Sequence, residues 1–98
     1  MEIIISGVVS RTIELGNELF SYSISPNPAT AYATIDFSES VENGEIVIFD
    51  ILGKEIKREK VSGMSHRIET AKWATGFYLY ELTVKGEKLP VEKFEVLK

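Results

Sequence analysis

The side chains that could carry chemistry in this sequence are few and scattered. His66 is the single histidine and cysteine is absent, so a catalytic set would have to be built around one imidazole. The lack of cysteine also removes disulfides and thiolate metal sites. A lone histidine beside Arg67 is more typical of a solvent-facing strand than of a catalytic base. We therefore predict no enzyme activity, no cofactor and no metal; an enzyme that uses His66 is the most distant alternative.

The segment Asp50-Ile51-Leu52-Gly53 begins like a cation-binding loop but lacks its ligands. Isoleucine and leucine stand where a calcium loop needs oxygen atoms. Asp50 can instead accept hydrogen bonds from backbone N–H groups ahead of it, and Gly53 can adopt a positive φ, which predicts a type I turn closed by a glycine bulge. Leu52 at the tip either folds back onto a neighbouring loop or is exposed as a contact.

Aromatic side chains offer the one small-molecule chemistry worth weighing. Trp73, Tyr32 and Tyr80 could form a platform on which a sugar ring stacks. For Trp73 we favour a different role, a plug at one end of the fold ahead of Gly76, because tryptophan is usually largely buried. The platform interpretation supports an Ig-like carbohydrate-binding or adhesion module as an alternative function.

The composition of the chain limits the classes of partner that it can bind. The 98 residues, 44% hydrophobic and 27% charged, fit one globular domain. A net charge of −4 gives no basic field for nucleic acid or an anionic membrane. The first residues lack the basic and long apolar regions of a signal peptide. If the chain is exported, we expect it to be the downstream part of a longer precursor.

Short strands separated by turn signals predict the elements that position these residues. Large side chains alternate with serines from Phe20 to Ile24. Glu45-Ile46-Val47-Ile48-Phe49 resembles a strand covered on both faces, and the charged strand after Gly53 resembles an edge. Six or seven such strands predict an all-β, single Ig-like antiparallel β-sandwich of about seven strands, with a small barrel as the alternative.

The remaining segments define the expected boundaries. Residues 1–18 are predicted to be a linker or part of a preceding region, with an extra strand over residues 3–9, and residues 19–98 the domain. Residues 38–44 are expected to be a loop, residues 62–65 a turn and residues 71–75 irregular. The run Ile3-Ile4-Ile5 could add to a neighbouring sheet edge and give a strand-swapped homodimer.

Four motifs in order and register carry a family resemblance over residues 20–98. They are Pro26-Asn27-Pro28, the segment from Ile48 to Lys54, Thr75-Gly76-Phe77-Tyr78, and the closing segment from Glu92 to Lys98. Together they resemble the type A C-terminal sorting domain of the Bacteroidetes type IX (Por) secretion system. Glu92, Glu95 and Trp73 depart from the usual pattern of that family.

The resemblance implies a non-catalytic secretion signal at the end of a larger cargo. Such cargo reaches the periplasm by a separate signal peptide. An outer-membrane type IX translocon then recognises the folded domain, and a surface sortase commonly removes it and attaches the cargo to lipopolysaccharide. The expected location is therefore the periplasm in transit, then the cell surface or the medium.

The same resemblance assigns roles to individual residues. Pro26, Asn27 and Pro28 should bound the first strand of the domain; Asp50, Gly53 and Lys54 should form the hairpin; Gly76 and Tyr78 should start the core strand. Lys93, Phe94, Val96 and Lys98 match the terminal signal, for which we expect a free strand edge and a basic end open to strand addition. Cleavage is expected before Phe20, at Leu15, Gly16 or Asn17.

Overall fold

The computed structural model describes residues 2–5 and 8–98 of the chain, with side chains from residue 10 onward. Eight strands are present in this part. They are β1 Glu2–Ile5, β2 Val8–Leu15, β3 Glu18–Ser25, β4 Tyr32–Asp50, β5 Glu55–Glu69, β6 Gly76–Val84, the two-residue β7 Glu87–Lys88, and β8 Glu92–Val96. All pairings between them are antiparallel. The predicted all-β antiparallel fold is confirmed. In the described residues no helix is long and apolar enough to span a membrane.

The two layers of the sandwich are one continuous sheet that bends. β1, β2, β3 and the first part of β4 form one layer, and the second part of β4 pairs with β6, which pairs in turn with β8. β5 follows β4 through both layers as an outer strand. Side chains from both layers join a single buried cluster, which includes Phe20, Ile24, Ile35, Ile48, Leu82 and Phe94.

The bend lies where β4 and β5 fall out of register. Shifts occur between Asp36 and Val41 and again between Val41 and Gly44, and extra residues of this kind bend a strand. Asn43 and Gly63 adopt positive φ angles of 54° and 87°. The predicted loop over residues 38–44 and the predicted turn over residues 62–65 are therefore wrong. Both segments lie within strands, with Val41 opposite Gly63 and Gly44 opposite Val61, because the irregularities of the two strands lie opposite each other.

Residues 8–15, part of the segment that we expected to be a linker or to belong to a preceding region, form strand β2. β2 runs to Leu15 and pairs with β3 along its whole length, from Val9 opposite Ile24 to Leu15 opposite Glu18. Leu15 is buried in the common core. The strand expected over residues 3–9 corresponds to β1 and the start of β2, and Gly7, which we expected to interrupt it, lies outside the described residues. The domain boundary at residue 19 stays a prediction.

The central hairpin and the last strands follow the predicted pattern. Ile46, Val47 and Ile48 are all buried although they alternate in direction, as expected for a strand between β5 and β6. In β3, Phe20, Tyr22 and Ile24 point into the core. In β8, Phe94 and Val96 are buried whereas Lys93 is exposed.

Candidate recognition site at one end of the sandwich

The four sequence motifs meet at one end of the second layer. Asp50 at the end of β4 lies opposite Tyr78 of β6, which lies opposite Phe94 of β8. Two rows further along, Gly76 lies opposite Val96. We call this region, formed by residues 26–29, 50–54, 75–78 and 93–98, the motif end.

The hairpin at the motif end is fixed by the side chain of Asp50. One carboxylate oxygen, Oδ1, accepts hydrogen bonds from the backbone N–H groups of Leu52 and Lys54, each at 2.9 Å. The N–H of Gly53 donates to the carbonyl of Asp50 at 3.0 Å, and Gly53 has a φ of 88°. The predicted tight turn around Asp50, with Gly53 at a positive φ, is confirmed. One carboxylate oxygen thus satisfies two backbone donors of the turn.

The Pro26-Asn27-Pro28 segment ends β3 and then covers the outer edge of β8. The Ser25-Pro26 and Asn27-Pro28 peptide bonds are both cis. The side-chain oxygen of Asn27 accepts a hydrogen bond from the N–H of Glu95 at 3.0 Å. Ala29 continues the pairing: its N–H donates to the carbonyl of Glu95, and its carbonyl accepts from the N–H of Leu97, both at 2.8 Å. The first and last motifs are thus one hydrogen-bonded unit.

Lys98 is bound within the chain. Its ammonium donates hydrogen bonds to the backbone carbonyls of Thr30, Thr70 and Ala71, the last two at 2.7 and 3.0 Å. Its own N–H donates to Thr75 Oγ1 at 2.9 Å. Three carbonyl dipoles aimed at one charge make a strong set of charge-assisted hydrogen bonds. Lys98 therefore joins the segment after Pro28 to the irregular segment before β6.

These contacts change the expected physical basis of the terminal motif. We expected a free strand edge and a free basic end, but residues 27–29 occupy the β8 edge at Glu95 and Leu97, and the Lys98 ammonium is engaged. Phe94 and Val96 are fully buried, so they act through packing. Lys93 and Lys54 remain exposed.

Aromatic rings fill the inside of the motif end. The Trp73 ring centre lies 5.1 Å from that of Tyr78 and 6.4 Å from that of Phe94. The Tyr78 hydroxyl donates to the carbonyl of Ala74 at 2.7 Å. Trp73 is half-buried against the core, which favours its interpretation as a plug.

The other two candidate sugar-stacking residues do not form a platform with it. Tyr80 is buried. Tyr32 lies on the other layer, and the guanidinium of Arg67 is 4.0 Å from the centre of its ring, so one of its faces is occupied.

Glu92, which departs from the family pattern, connects the two layers. Its carboxylate binds the guanidinium of Arg11 on β2 at 2.8 Å and lies 3.4 Å from the hydroxyl of Tyr22 on β3. Burial raises the pKa of the Tyr22 phenol well above its ordinary value, and the negative charge of Glu92 raises it further, while Arg11 opposes the shift. Sequence analysis did not identify Arg11 or Tyr22 as partners, because three separate strands supply these groups.

His66 and the predicted cleavage residues lie away from the motif end. His66 Nε2 is 3.0 Å from Glu59 Oε1, both on the outer strand β5. Among the described residues no group of three or more histidine, aspartate or glutamate side chains could hold a metal ion. Gly16 and Asn17 form the exposed turn between β2 and β3, and Leu15 before them is buried.

The geometry defines an antiparallel β-sandwich whose sequence motifs are gathered at one end. A family model described as "Secretion system C-terminal sorting domain" matches residues 23–96. The chain belongs to this family, and the predicted resemblance is confirmed. No curated protein and no solved structure matches it.

Membership of this family gives the general function of the chain. The chain is a C-terminal sorting signal of the type IX secretion system. It follows that the protein carrying it is secreted and interacts with the type IX machinery. Domains of this family are typically non-catalytic.

Proposed function

We propose that the folded domain directs a larger cargo protein across the outer membrane through the type IX translocon and performs no catalysis itself. A surface sortase then removes it and attaches the cargo to the cell surface. The observation that carries this proposal is the family match over residues 23–96. The assembly of all four motifs at the motif end supports it, because a receptor can then read residues distant in sequence as one surface.

The expected roles of the motif residues become more specific with these contacts. Asp50 and Gly53 shape the hairpin, and Asn27 and Lys98 hold the terminal strand and the segments beside it. Gly76, Tyr78, Phe94 and Val96 build the support beneath the surface. Lys54 and Lys93 carry its exposed charge.

The turn at Gly16 and Asn17 is accessible to a sortase. Both residues are exposed and stand at the tip of a hairpin, whereas Leu15 is buried. A sortase could reach the bond between Gly16 and Asn17 without unfolding the core. β2 would then stay with the cargo and would have to leave β3 before the cargo is released.

The test is the mass of an exported passenger. A passenger followed by residues 1–98 is produced in a type IX-competent bacterium, and its surface-bound and released forms are analysed by mass spectrometry. The proposal expects a passenger that ends near Gly16 and is modified by surface attachment. Export of a passenger that still carries residues 17–98 would contradict removal, and an unmodified free passenger would contradict attachment.

A strand-swapped homodimer remains a separate hypothesis for the isolated chain. β1 pairs with β2 in the same chain, with Glu2 opposite Arg11 and Ile5 opposite Val8. The same pairing made between two chains would exchange β1. Light scattering distinguishes the monomer from the strand-swapped dimer, because exchange of β1 between two chains doubles the mass.

A further inference from the structure

The tip of the central hairpin exposes an apolar side chain that the fold does not use. Leu52 is 91% exposed and its neighbour Ile51 is 65% exposed. The Asp50 carboxylate nevertheless fixes the backbone of Leu52 through its N–H group. A leucine held in water contributes almost no burial to folding, which leaves its apolar surface available to a partner.

More exposed apolar side chains lie at the same end of the sheet. Phe77 follows Gly76 at the start of β6 and is 43% exposed, and Leu97 follows β8 and is 47% exposed. Ile56, next to the hairpin at the start of β5, is also exposed. We call these residues, Ile51, Leu52, Ile56, Phe77 and Leu97, the apolar patch.

Two lysines border the apolar patch. Lys54 follows the hairpin tip, and the Lys93 ammonium is 4.7 Å from the centre of the Phe77 ring. Ion pairs between described side chains join Arg11, Lys57, Arg58, Arg67 and Lys85 to carboxylates, and none of these pairs includes Lys54 or Lys93. In a chain of net charge −4, two lysines that salt bridges leave available favour a partner with carboxylates at the rim of its binding surface.

The charges also argue against a second copy of this chain as the partner. In a symmetric dimer the two copies of the patch face each other, so both sides would carry the same two rim lysines and neither would supply a complementary acidic rim. Five partly exposed side chains amount to roughly a few hundred Å², about the size of the largest apolar patch on an ordinary monomer, which is often functional. A stable dimer needs about 800 Å² from each subunit. A small apolar contact with complementary charge instead suits a transient encounter.

We propose that the apolar patch inserts, with Leu52 foremost, into an apolar pocket with an acidic rim on the component of the type IX machinery that receives the domain. This rests on the proposed function and adds the surface and the chemistry of its receptor. Asp50 is the positioning residue, because its carboxylate fixes the direction in which Leu52 projects.

The first test compares Leu52→Ser with Leu19→Ser in a passenger that carries the whole chain. Leu19 is 70% exposed at the start of β3 in the other layer, so its replacement removes a similar exposed side chain outside the apolar patch. We expect Leu52→Ser to weaken receptor binding about tenfold or more, the usual effect of losing one buried leucine, and to lower export accordingly. Leu19→Ser and Leu52→Met should export normally.

Thermal unfolding of the purified chain separates recognition from folding. Leu52→Ser should leave the melting temperature within a degree or two of the original, because the side chain has almost no contacts to lose. The charge reversals Lys54→Glu and Lys93→Glu should each lower export, whereas Lys88→Glu on β7 should not. Equal export of the Leu52→Ser and Leu19→Ser passengers, with the unaltered passenger exported, would overturn the inference and leave the proposed function standing. Failure of the unaltered passenger to be exported would overturn both.

A photo-cross-linking amino acid at position 52 identifies the occupant in cells exporting the passenger. Mass spectrometry of the adduct should show a peptide of a type IX component that contains both apolar and acidic residues. An adduct with a second copy of this chain, with an unrelated protein, or no adduct above that from position 19 would overturn the proposal.

Discussion

The side-chain oxygen of Asn27 lies 3.0 Å from the backbone nitrogen of Glu95, sixty-eight residues later in the chain. This hydrogen bond joins the motif that ends β3 to the motif that forms β8. It means that the terminal segment of the sorting signal, for which we expected a free strand edge, is held in place by the start of the domain.

Replacing Asn27 should loosen the outer edge of β8. Asn27→Ala removes the acceptor for the Glu95 N–H and should lower the free energy of unfolding by about 1–2 kcal/mol. Amide exchange at Glu95 and Leu97 should become faster than at Tyr80, which lies in the middle of the sheet. Asn17→Ala, in an exposed turn, serves as the control. Unchanged exchange at Glu95 would show that the hydrogen bond has no protective role.

The ammonium of Lys98 should contribute to stability despite its exposure. Lys98→Met keeps most of the aliphatic stem and removes the charge that binds the carbonyls of Thr30, Thr70 and Ala71. We expect a loss of about 1–2 kcal/mol in urea unfolding, smaller than for a buried pair because solvent reaches the site. Lys88→Met, on β7, should change the free energy of unfolding by less than about 0.5 kcal/mol. Equal effects of the two substitutions would contradict the internal role of Lys98.

The buried phenol of Tyr22 should make the fold sensitive to alkali. Its pKa is raised in the folded state from an ordinary value of 10.0, so the unfolded chain releases this proton first as the pH rises. Its contribution to stability is therefore complete below pH 10 and is lost progressively above it. Tyr22→Phe should flatten the decline in unfolding free energy above pH 10, whereas Tyr32→Phe should not. If the unfolding free energy declines in parallel above pH 10 in the unaltered protein, in Tyr22→Phe and in Tyr32→Phe, the prediction is refuted.

Gly44 marks the place where β4 has no room for a side chain. A Cβ at this position would lie 2.7 Å from Val41 Cγ1, 3.1 Å from the carbonyl oxygen of Thr83 and 3.2 Å from that of Val61. Gly44→Ala should destabilise the fold by about 1–3 kcal/mol through this crowding. Gly16→Ala is a useful comparison, because Gly16 has open space around it and a φ of 62°, so only backbone strain is added. If Gly44→Ala melts at the same temperature as the unaltered protein, the bend in β4 and β5 accommodates the added methyl group.

Local contacts could be predicted from the sequence, and distant ones could not. The Asp50 turn follows from residues within four positions of one another, and the burial of Phe20, Tyr22 and Ile24 follows from their alternation. The partners of Asn27 and Lys98 are backbone groups, which leave no mark on the sequence. Asn43-Gly44 and Ser62-Gly63 indicate turns when considered singly. They become a bend in two paired strands only because they lie opposite each other, which depends on the register between β4 and β5.

The most direct test of the central claim is the location of a passenger carrying all 98 residues in two strains, one with a complete type IX system and one lacking only its outer-membrane translocon. The account predicts passenger outside the cells of the first strain and in the periplasm of the second. The same distribution in both strains would contradict it.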